Sequence, residues 1–401
     1  MSNIKKVGFA ALLAILILLG VGCTSEVVIE ECEEEYPRPG AASSYYFEGP
    51  HLLYENENIR ILRGVGINGE MRIETSTYDQ LQLSSFSVYK PGFLPRTFEV
   101  KLKPEIKPPP TYYPEAATIF AVSDIEGNFN ALINLMQQHG VINDQLDWIF
   151  GTGHFVMVGD VFDRGNHVTE MLWFLYRLEE QAIADGGYVH MLLGNHEALN
   201  LRGDLRYIEL KYATFAQLTK DQHGIVYTDL FSMDSELGRW LRSKNVVEKI
   251  GDKLFVHAGI SPEMRRRDYT LEEINSFSRE MLDKPKSGFN SVDSLMWSKA
   301  GPFWYRGYFD INEEKWGPRA SQSNVENVLD HYQASQVIVG HTHVEQPELR
   351  YEGRVCAIDV QPPADHMVYV PPIHAYGALF RDSSVFRADD NGRLTELTLQ
   401  K

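Results

Sequence analysis

Two carboxylates and one arginine stand close together in residues 159–165, which read G-D-V-F-D-R-G. This segment follows an apolar run at 155–158 that is short enough to be a buried strand. Asp160 would then stand where the strand ends and the chain turns, which is the edge at which open α/β sheets bind ligands. Acidic oxygens and a guanidinium at such a turn suit metal and phosphate chemistry. Taken alone, the segment fits an ordinary polar loop equally well.

Five residues of metal-binding type share this position at the end of a predicted strand: Asp124, Asp160, Asn195, His257 and His341. Each one has an ordinary alternative. Asp124 could cap the following helix, Asn195 could hold a turn, and each histidine could be a core residue with satisfied hydrogen bonds. The repetition of oxygen and imidazole ligands at strand ends favours a shared metal site over five separate coincidences.

The elements that must position these residues are visible in the hydrophobic pattern. Residues 118–122 and 188–193 are apolar runs that predict strands, like the run at 155–158. Apolar residues recur at helical spacing in 129–136 and in 168–178, between those strands. The alternation of strand and helix predicts an α/β arrangement.

Later segments complete this arrangement. Residues 254–256 and 336–339 are predicted strands that deliver the two histidines. Residues 198–245 are predicted to be mainly helical and to cap the site. The segment 304–307 reads W-Y-R-G and brings aromatic rings and Arg306 into the second half of the chain.

Composition indicates a globular protein and excludes one class of partner. The chain has 401 residues, of which 43% are hydrophobic, and its net charge is −17. So acidic a chain is not expected to bind nucleic acid non-specifically, because such binding needs lysine and arginine to displace counterions. Cys356 lies in an apolar run and is predicted to be a buried thiol, although it could pair with Cys32 in an oxidising compartment.

The N-terminus has the layout of a secretory signal. Two lysines precede an apolar stretch at 9–19, and Gly22 and Cys23 follow it. The layout resembles a bacterial lipoprotein signal, although Gly20 stands where leucine is usual. We therefore expect residues 1–22 to be removed and Cys23 to be lipidated, which would anchor the protein in the bacterial cell envelope, periplasmic or surface-exposed. An uncleaved membrane anchor is the alternative, but the stretch is short for a full span.

Four further regions are predicted after the signal. Residues 23–44 are an acidic tether, and residues 45–103 are a small β-rich accessory region with a hairpin signal at Asn68-Gly69. Residues 104–116 are a proline-rich linker, and residues 117–401 form the domain that carries the candidate site.

The order of the motifs resembles that of the calcineurin-like metallophosphoesterases. G-D-V-F-D-R-G together with G-N-H-E at 194–197 is similar to the phosphoprotein-phosphatase branch. The run at 194–207 and the later W-Y-R-G are most similar to its bacterial Shewanella-like and diadenosine-polyphosphate-hydrolase-like members. The resemblance covers residues 117–360. It implies a metallophosphoesterase fold of the α/β (α+β) class, a two-sheet β-sandwich flanked by helices, with a site for two metal ions at the strand ends.

The resemblance also implies a set of ligands for the second of the two metals. Asp160 matches the carboxylate that bridges both ions. Asn195, His257 and His341 match the other ligands of the second metal, and Asn195 also matches a phosphate-binding residue.

The first metal is where the sequence departs from the family. Its ligands would be Asp124, Asp160 and residue 126, but the family usually carries histidine at that position and this chain carries Glu126. Our hypothesis is that Glu126 and His343 together complete the first metal site. A glutamate oxygen should favour Mn²⁺ or Mg²⁺, with Fe or Zn as further possibilities for the pair.

The resemblance assigns the remaining roles. His196 would be the general acid for the leaving oxygen, and Asp163 would orient its ring. Arg164 would grip the phosphate, and Arg306 is a candidate for a second phosphate arginine, with a stacked surface arginine as the alternative. Glu197 is expected to support the His196 loop.

Arg202 and Arg206 are weaker substrate candidates, and Asp359 is a weaker candidate for support near His341.

The implied reaction is hydrolysis of phosphomonoesters by a hydroxide that bridges the two metals. The partner would be a phosphorylated protein or small molecule. Two alternatives stay open, namely a hydrolase for phosphodiesters or dinucleotide anhydrides, and a metal-deficient phosphatase-like binding protein.

Overall fold

The computed structural model describes residues 45–67, 70–91, 96–309, 312–360 and 375–399. The strands are β1 (Tyr45–Glu55), β2 (Asn58–Ile67), β3 (Glu70–Asp79), β4 (Ser85–Lys90), β5 (Arg96–Lys101), β6 (Tyr112–Tyr113), β7 (Thr118–Val122), β8 (His154–Met157), β9 (Tyr188–Met191), β10 (Val247–Ile250), β11 (Lys253–Val256), β12 (Gln336–Val339), β13 (Glu348–Arg350), β14 (Val355–Ala357), β15 (Tyr376–Arg381), β16 (Ser384–Asp389) and β17 (Leu394–Glu396). The helices are α1 (Phe129–Gln138), α2 (Val168–Ala184), α3 (Asn195–Leu201), α4 (Leu210–His223), α5 (Tyr227–Leu230), α6 (Glu236–Ser243), α7 (Pro262–Arg266), α8 (Leu271–Leu282), α9 (Ser291–Met296), α10 (Glu313–Trp316) and α11 (Gln322–Tyr332), with a 3₁₀ turn at Lys286–Gly288.

Two six-stranded sheets form the centre of the fold. Their strand orders are β17-β16-β15-β7-β8-β9 and β13-β14-β12-β11-β10-β6. The strands β7, β8 and β9 run parallel in the first sheet, and β11, β12 and β14 run parallel in the second. The predicted metallophosphoesterase fold, a two-sheet sandwich flanked by helices, is confirmed.

A compact apolar cluster fills the space between the two sheets. Ile119 and Val156 of the first sheet belong to it together with Phe255 and Ile338 of the second. These side chains are at most 2% exposed, as continuous apolar strands buried on both faces require. Cys356 lies in the same cluster, buried and without a disulfide to any described residue, so it is a core residue as predicted.

The hydrophobic pattern located the central strands closely. β7 covers the predicted residues 118–122, β8 begins one residue before the predicted run, and β9 ends two residues early. The larger difference is at Asn195, which we expected at the end of a strand and which begins helix α3.

The region 45–103 contains the β-structure expected of it. β1, β2 and β3 form an antiparallel sheet, and β4 pairs with β5. β2 and β3 are joined as a hairpin with Ile67 opposite Glu70, so the hairpin prediction is confirmed, although Asn68-Gly69 itself lies outside the described residues. In β5, Phe98 and Val100 are buried and alternate with exposed residues, as predicted.

This N-terminal β region packs closely against helix α2. The ring of Phe86 meets that of Trp173 edge-on at 4.7 Å, and the Trp173 indole N–H donates to the Pro50 carbonyl at 2.8 Å. Lys103, which follows β5, forms an ion pair with Glu179 of α2. The full burial of an apolar side chain such as Phe86 stabilises the fold by about 1.5–3 kcal/mol. The β region therefore shares the core of the helices that surround the site.

The segment predicted as a proline-rich linker also joins the fold. Tyr112 and Tyr113 form the short edge strand β6, which pairs in parallel with β10. The side-chain amide of Asn245 donates to the carbonyl of Pro110 at 3.1 Å.

Some predictions concern residues that are not described. The signal segment, the proposed lipidation of Cys23, Cys32 and the whole acidic tether fall in 1–44, and they stay predictions. Within the described ranges, no helix combines the length and the apolar character needed to span a bilayer.

Candidate active site

The ends of four parallel strands, two from each sheet, meet at one edge of the sandwich. Asp124 lies two residues beyond β7, and Asp160 lies three beyond β8. His257 and His341 follow β11 and β12 in the facing sheet. The backbone N–H of His341 donates to a carboxylate oxygen of Asp124 at 3.0 Å, which ties the two sheets together at this edge.

Several of these residues have an unusual backbone conformation. Asp124, Asp160 and His341 have φ angles of 52°, 55° and 63°, in the left-handed region. Such conformations cost on the order of 1–3 kcal/mol each and persist where the surroundings impose them, often at functional sites.

Two glycines allow the close approach of the surrounding loops. Gly159 has φ 86°, and a Cβ there would stand 2.7 Å from both the Gly194 nitrogen and His257 Nδ1. At Gly165 a Cβ would stand 2.3 Å from the Glu126 carbonyl oxygen. Any larger residue would push apart the loops that carry the ligands.

One ligand cluster, at the position expected for the second metal, consists of Asp160, His257 and His341. One ligand atom from each lies within 4.8 Å of the others, and all three side chains are buried. His257 donates its Nδ1–H to the Val158 carbonyl at 2.8 Å, which turns Nε2 toward Asp160, 3.3 Å away. The side-chain oxygen of Asn195 lies 3.0 Å from the same Nε2. All four residues predicted to bind the second metal therefore lie together.

This cluster fits a divalent cation. His341 Nε2 is buried and has no hydrogen-bond partner among the described residues, whereas a buried polar atom normally has one. Imidazole nitrogens together with a carboxylate are a donor set that Zn²⁺, Fe²⁺ and Mn²⁺ accept.

The pKa shifts show how strongly these groups interact. Burial and the nearby Asp160 charge raise the pKa of Asp124 to about 7. Burial opposes the charged form of His257, but Asp160 outweighs it and raises the His257 pKa to about 10. The histidines in turn hold the pKa of Asp160 well below its usual range despite its burial. A bound cation would favour the ionised carboxylates and compete with the His257 proton.

The other ligand cluster, at the position expected for the first metal, consists of Glu126, Asp160 and His196, whose ligand atoms also lie within 4.8 Å of one another. Glu126 is buried and forms an ion pair with Arg164. The predicted ligand Glu126 is therefore beside Asp160, but its carboxylate already binds a guanidinium. Its role at the first metal stays a prediction.

His343 lies outside both clusters of the described residues. It is exposed, whereas His341 and the intervening Thr342 are buried. The geometry does not bring His343 to the first metal position, and its assignment also stays a prediction.

His196 and Asp163 form a buried pair next to the ligands. The His196 Nδ1–H donates to the Asp163 carboxylate at 2.5 Å. The other ring nitrogen, Nε2, lies 3.8 Å from carboxylate oxygens of both Asp160 and Glu126. Burial lowers the pKa of His196, but the charges of Asp160 and Asp163 outweigh this and raise it. The pair therefore turns Nε2 of His196 toward the ligand clusters.

Glu197 holds two loops of the site together. Its carboxylate accepts the backbone N–H groups of Asp160 at 2.9 Å, Val161 at 2.7 Å and Gly194 at 2.7 Å. This joins the G-D-V-F-D-R-G turn to the start of α3 and agrees with the supporting role that we expected.

Two arginines border the clusters. Arg164 is partly exposed, and its guanidinium lies 5.5 Å from the Tyr207 ring centre. Arg306 is largely buried, and it donates to the Thr342 hydroxyl at 3.2 Å and lies 4.9 Å from the Trp316 ring centre. Its Nε has no hydrogen-bond partner in the described part of the chain. Both positions suit an anion. Arg306 is stacked, as its alternative supposed, but on Trp316 and not at the surface beside Trp304 and Tyr305.

The two weaker substrate candidates, Arg202 and Arg206, have different surroundings. Arg202 donates to the Met281 carbonyl and packs over the rings of Phe289 and Trp297, so it stabilises the fold. Arg206 forms an exposed ion pair with Asp204.

Asp359 is 2% exposed, and burial together with the Asp124 and Asp160 charges raises its pKa well above the usual value. Its Oδ1 has no hydrogen-bond partner within the described ranges, so it is not shown to support His341.

Two residues that sequence reasoning missed adjoin the His196 pair. Asn200 donates to Asp163 Oδ1 at 2.9 Å, and it accepts the Tyr227 hydroxyl proton at 2.7 Å. The one available signal was the spacing of Asn200, four residues after His196 and thus on the same helix face.

Comparison with known proteins agrees with this geometry. The family model described as calcineurin-like phosphoesterase matches residues 117–345. An uncharacterized protein of Schizosaccharomyces pombe is 31% identical over 254 residues, which are 60% of this chain and 72% of that protein. Shewanella-like protein phosphatase 1 of Plasmodium berghei is 27% identical over 56% of this chain, and the match spans 60% of its own length. The crystal structure of a cold-active protein-tyrosine phosphatase from a psychrophilic Shewanella superposes with a TM-score of 0.74 at 30% identity, covering 88% of this chain and 99% of that one.

Proposed function

We propose that this chain, which belongs to the family of calcineurin-like metal-dependent phosphoesterases, hydrolyses phosphate monoesters with His196 as the general acid. The observation that carries the proposal is the buried His196–Asp163 pair, whose free Nε2 lies 3.8 Å from Asp160. A phosphate held at the ligand clusters would present its leaving oxygen to this nitrogen. A general acid so placed typically contributes about 10²–10⁴-fold to the rate.

The metal ions of this reaction are part of the proposal. Asp160, Asn195, His257 and His341 would hold one ion, and Asp124, Asp160 and Glu126 would hold the other, with His343 as a further candidate. Two such ions would supply Lewis-acid stabilisation of the phosphoryl charge and an activated water as nucleophile. We propose Mn²⁺, because Glu126 adds a hard oxygen donor where the family usually has imidazole.

The chain's own residues would carry the other steps. Asp163 holds the Nδ1–H of His196, so that Nε2 is the atom that gives its proton to the leaving oxygen. Arg306 is kept in place by Thr342 and would use its remaining donors for phosphate oxygens. Arg164 would do the same once it leaves Glu126.

We propose phosphorylated proteins as the substrate class. The likeness to a protein-tyrosine phosphatase and to a Shewanella-like protein phosphatase supports this. So does Tyr207, which is 41% exposed and whose ring centre lies 5.2 Å from that of His196. An exposed ring beside the general acid gives an aromatic leaving group a surface on which to stack.

Replacement of the bridging carboxylate tests the reaction. Asp160→Asn should lower the turnover of p-nitrophenyl phosphate with Mn²⁺ at least about 100-fold, since even residues behind the ligands change activity by about 10–100-fold. Asp144→Asn, at an exposed position, is the matched control. Retained activity in Asp160→Asn would exclude the mechanism. A panel of monoester, diester and dinucleotide substrates separates monoester hydrolysis from the alternatives.

We also propose that lipid on Cys23 anchors the enzyme in a bacterial envelope, as the N-terminal pattern indicates. Expression of the full chain and of Cys23→Ser in a bacterial host, followed by membrane fractionation and mass spectrometry, tests this. Equal membrane association and equal mass at the N-terminus would contradict it.

A further inference from the structure

We propose that Asn200 and Tyr227 are positioning residues for proton transfer, holding the Asp163–His196 pair so that Nε2 of His196 faces the leaving oxygen. The inference rests on the proposed function, because it concerns the same general acid. Neither residue supplies a ligand atom to the clusters: Asn200 contacts Asp163 and the backbone of His196, and Tyr227 contacts Asn200.

The side-chain amide of Asn200 connects both members of the pair. One N–H donates to Asp163 Oδ1 at 2.9 Å, and the other donates to the backbone carbonyl of His196 at 2.9 Å. The other oxygen of Asp163 accepts the His196 ring proton. Because both partners of the amide nitrogen are oxygens, only one orientation of the amide is compatible with the contacts.

Tyr227 fixes that orientation from the opposite side. Its hydroxyl donates to the amide oxygen of Asn200 at 2.7 Å. Burial together with the Asp163 and Glu48 charges raises the pKa of Tyr227 well above its usual value, so the hydroxyl stays a donor. The result is a buried chain of hydrogen bonds from Tyr227 through Asn200 and Asp163 to His196.

This chain leaves Asp163 little freedom. Asp163 has φ 74°, a strained conformation that needs outside support. Without the Asn200 donor, Oδ1 of the Asp163 carboxylate would lose a buried hydrogen bond. The carboxylate could then rotate about the Cβ–Cγ bond. Misplacement of a general acid by a fraction of an ångström reduces catalysis without altering substrate contacts.

The support originates partly in the N-terminal β region. Tyr227 lies on helix α5, and its ring packs against Phe231 at 5.5 Å. Phe231 lies between Phe162 of the G-D-V-F-D-R-G loop at 5.2 Å and His51 of β1 at 5.4 Å. The region whose role the sequence did not reveal thus contacts the element that orients the acid.

The experiment compares two esters that differ only in the leaving group, measured with the full Mn²⁺-supplied enzyme. Phenyl phosphate has a basic leaving group that needs the proton from His196. The leaving group of 2,4-dinitrophenyl phosphate is weakly basic and leaves without it. We expect Tyr227→Phe to lower kcat for phenyl phosphate about 10-fold and Asn200→Asp about 100-fold, with KM unchanged. For the dinitrophenyl ester we expect kcat to change less than about 2-fold, since its oxygen leaves without a general acid.

The controls separate positioning from folding. Tyr332→Phe also removes a hydroxyl hydrogen bond, a partly buried one to the Tyr269 carbonyl that does not belong to this chain of hydrogen bonds. It should leave kcat for both esters unchanged. If Tyr227→Phe slows both esters equally, or neither, the positioning role is overturned.

His196→Asn keeps this test distinct from the proposed function. If His196→Asn slows both esters equally, the general acid of the proposed function is overturned. If His196→Asn slows hydrolysis of phenyl phosphate more than that of the dinitrophenyl ester and Tyr227→Phe does not, only the positioning role is overturned.

Discussion

The carboxylate of Glu126 and the guanidinium of Arg164 form an ion pair at the edge of the ligand clusters. Glu126 stands where the family usually carries a histidine ligand, and Arg164 is the expected phosphate clamp. One carboxylate therefore has two possible partners, an arginine of its own chain or a metal ion. Arginine and metal should compete for it, because each neutralises the same buried charge.

Removal of the arginine should strengthen metal binding at the first position. In Arg164→Ala, Glu126 loses its competing partner, and we expect the affinity for the more weakly bound Mn²⁺ to rise about 10-fold, or about 1.4 kcal/mol. The KM for phosphate esters should rise in the same variant, because a phosphate contact is lost. Calorimetric titration with Mn²⁺ measures the first effect. Arg206→Ala, whose partner Asp204 is outside the clusters, is the control. An unchanged or lower Mn²⁺ affinity in Arg164→Ala would rule out competition.

The number of bound metal ions tests the two unusual ligands of the first metal, Glu126 and His343. We expect Glu126→Ala to retain one metal ion per chain instead of two, since Asp124 and Asp160 alone are a poor ligand set for it. If His343 completes that site as we hypothesised, His343→Ala should also lose the ion. His331→Ala, away from the site, should keep both ions. Elemental analysis after dialysis gives the counts. Two ions per chain in both Glu126→Ala and His343→Ala would show the assignment to be wrong.

The sequence predicted those parts of the site that depend on local pattern. The strand β7 was located to the residue, and Asp124, Asp160, His257 and His341 were recognised because each follows an apolar run. Parallel strands bring their ends to one edge, so a pattern along the chain becomes a cluster in space.

The parts that escaped prediction depend on long-range packing. Tyr227 is 27 residues from Asn200 in the chain, and only the position of α5 brings the two together. Arg202 looked like a substrate arginine but donates to a carbonyl 79 residues away. Contacts of this kind follow from how helices pack, which no local periodicity encodes.

Loss of the Glu197 carboxylate should destabilise the whole site. In Glu197→Gln one of the two oxygens becomes an amide donor, which leaves buried N–H groups of the two loops without an acceptor. We expect a loss of roughly 2–4 kcal/mol in the free energy of unfolding, since each buried unsatisfied group costs about 1–3 kcal/mol. Glu273→Gln is the matched control, because Glu273 accepts the exposed Thr270 N–H of a helix cap. Urea unfolding measures both, and a similar, small effect for the two variants would refute the role.

The junction between the N-terminal β region and the helices should depend on pH through Glu48. Burial opposes ionisation of this carboxyl, but the adjacent Lys211 at 2.9 Å and His51 at 2.8 Å outweigh it and lower its pKa from 4.5 to about 2. Because the folded-state pKa lies below the unfolded one, Glu48 contributes stability above about pH 4.5. That contribution, on the order of 3 kcal/mol, is lost as the pH falls toward about 2.

Glu48→Gln tests this pH dependence. The difference in unfolding free energy between the native chain and the variant should be largest above pH 4.5 and should shrink steadily as the pH falls toward 2. Glu105→Gln, at an exposed ion pair with Lys107, should show little difference at any pH. A pH-independent difference for Glu48→Gln would mean that Glu48 acts through packing and hydrogen bonds, because only the charge of the carboxylate is removed by protonation.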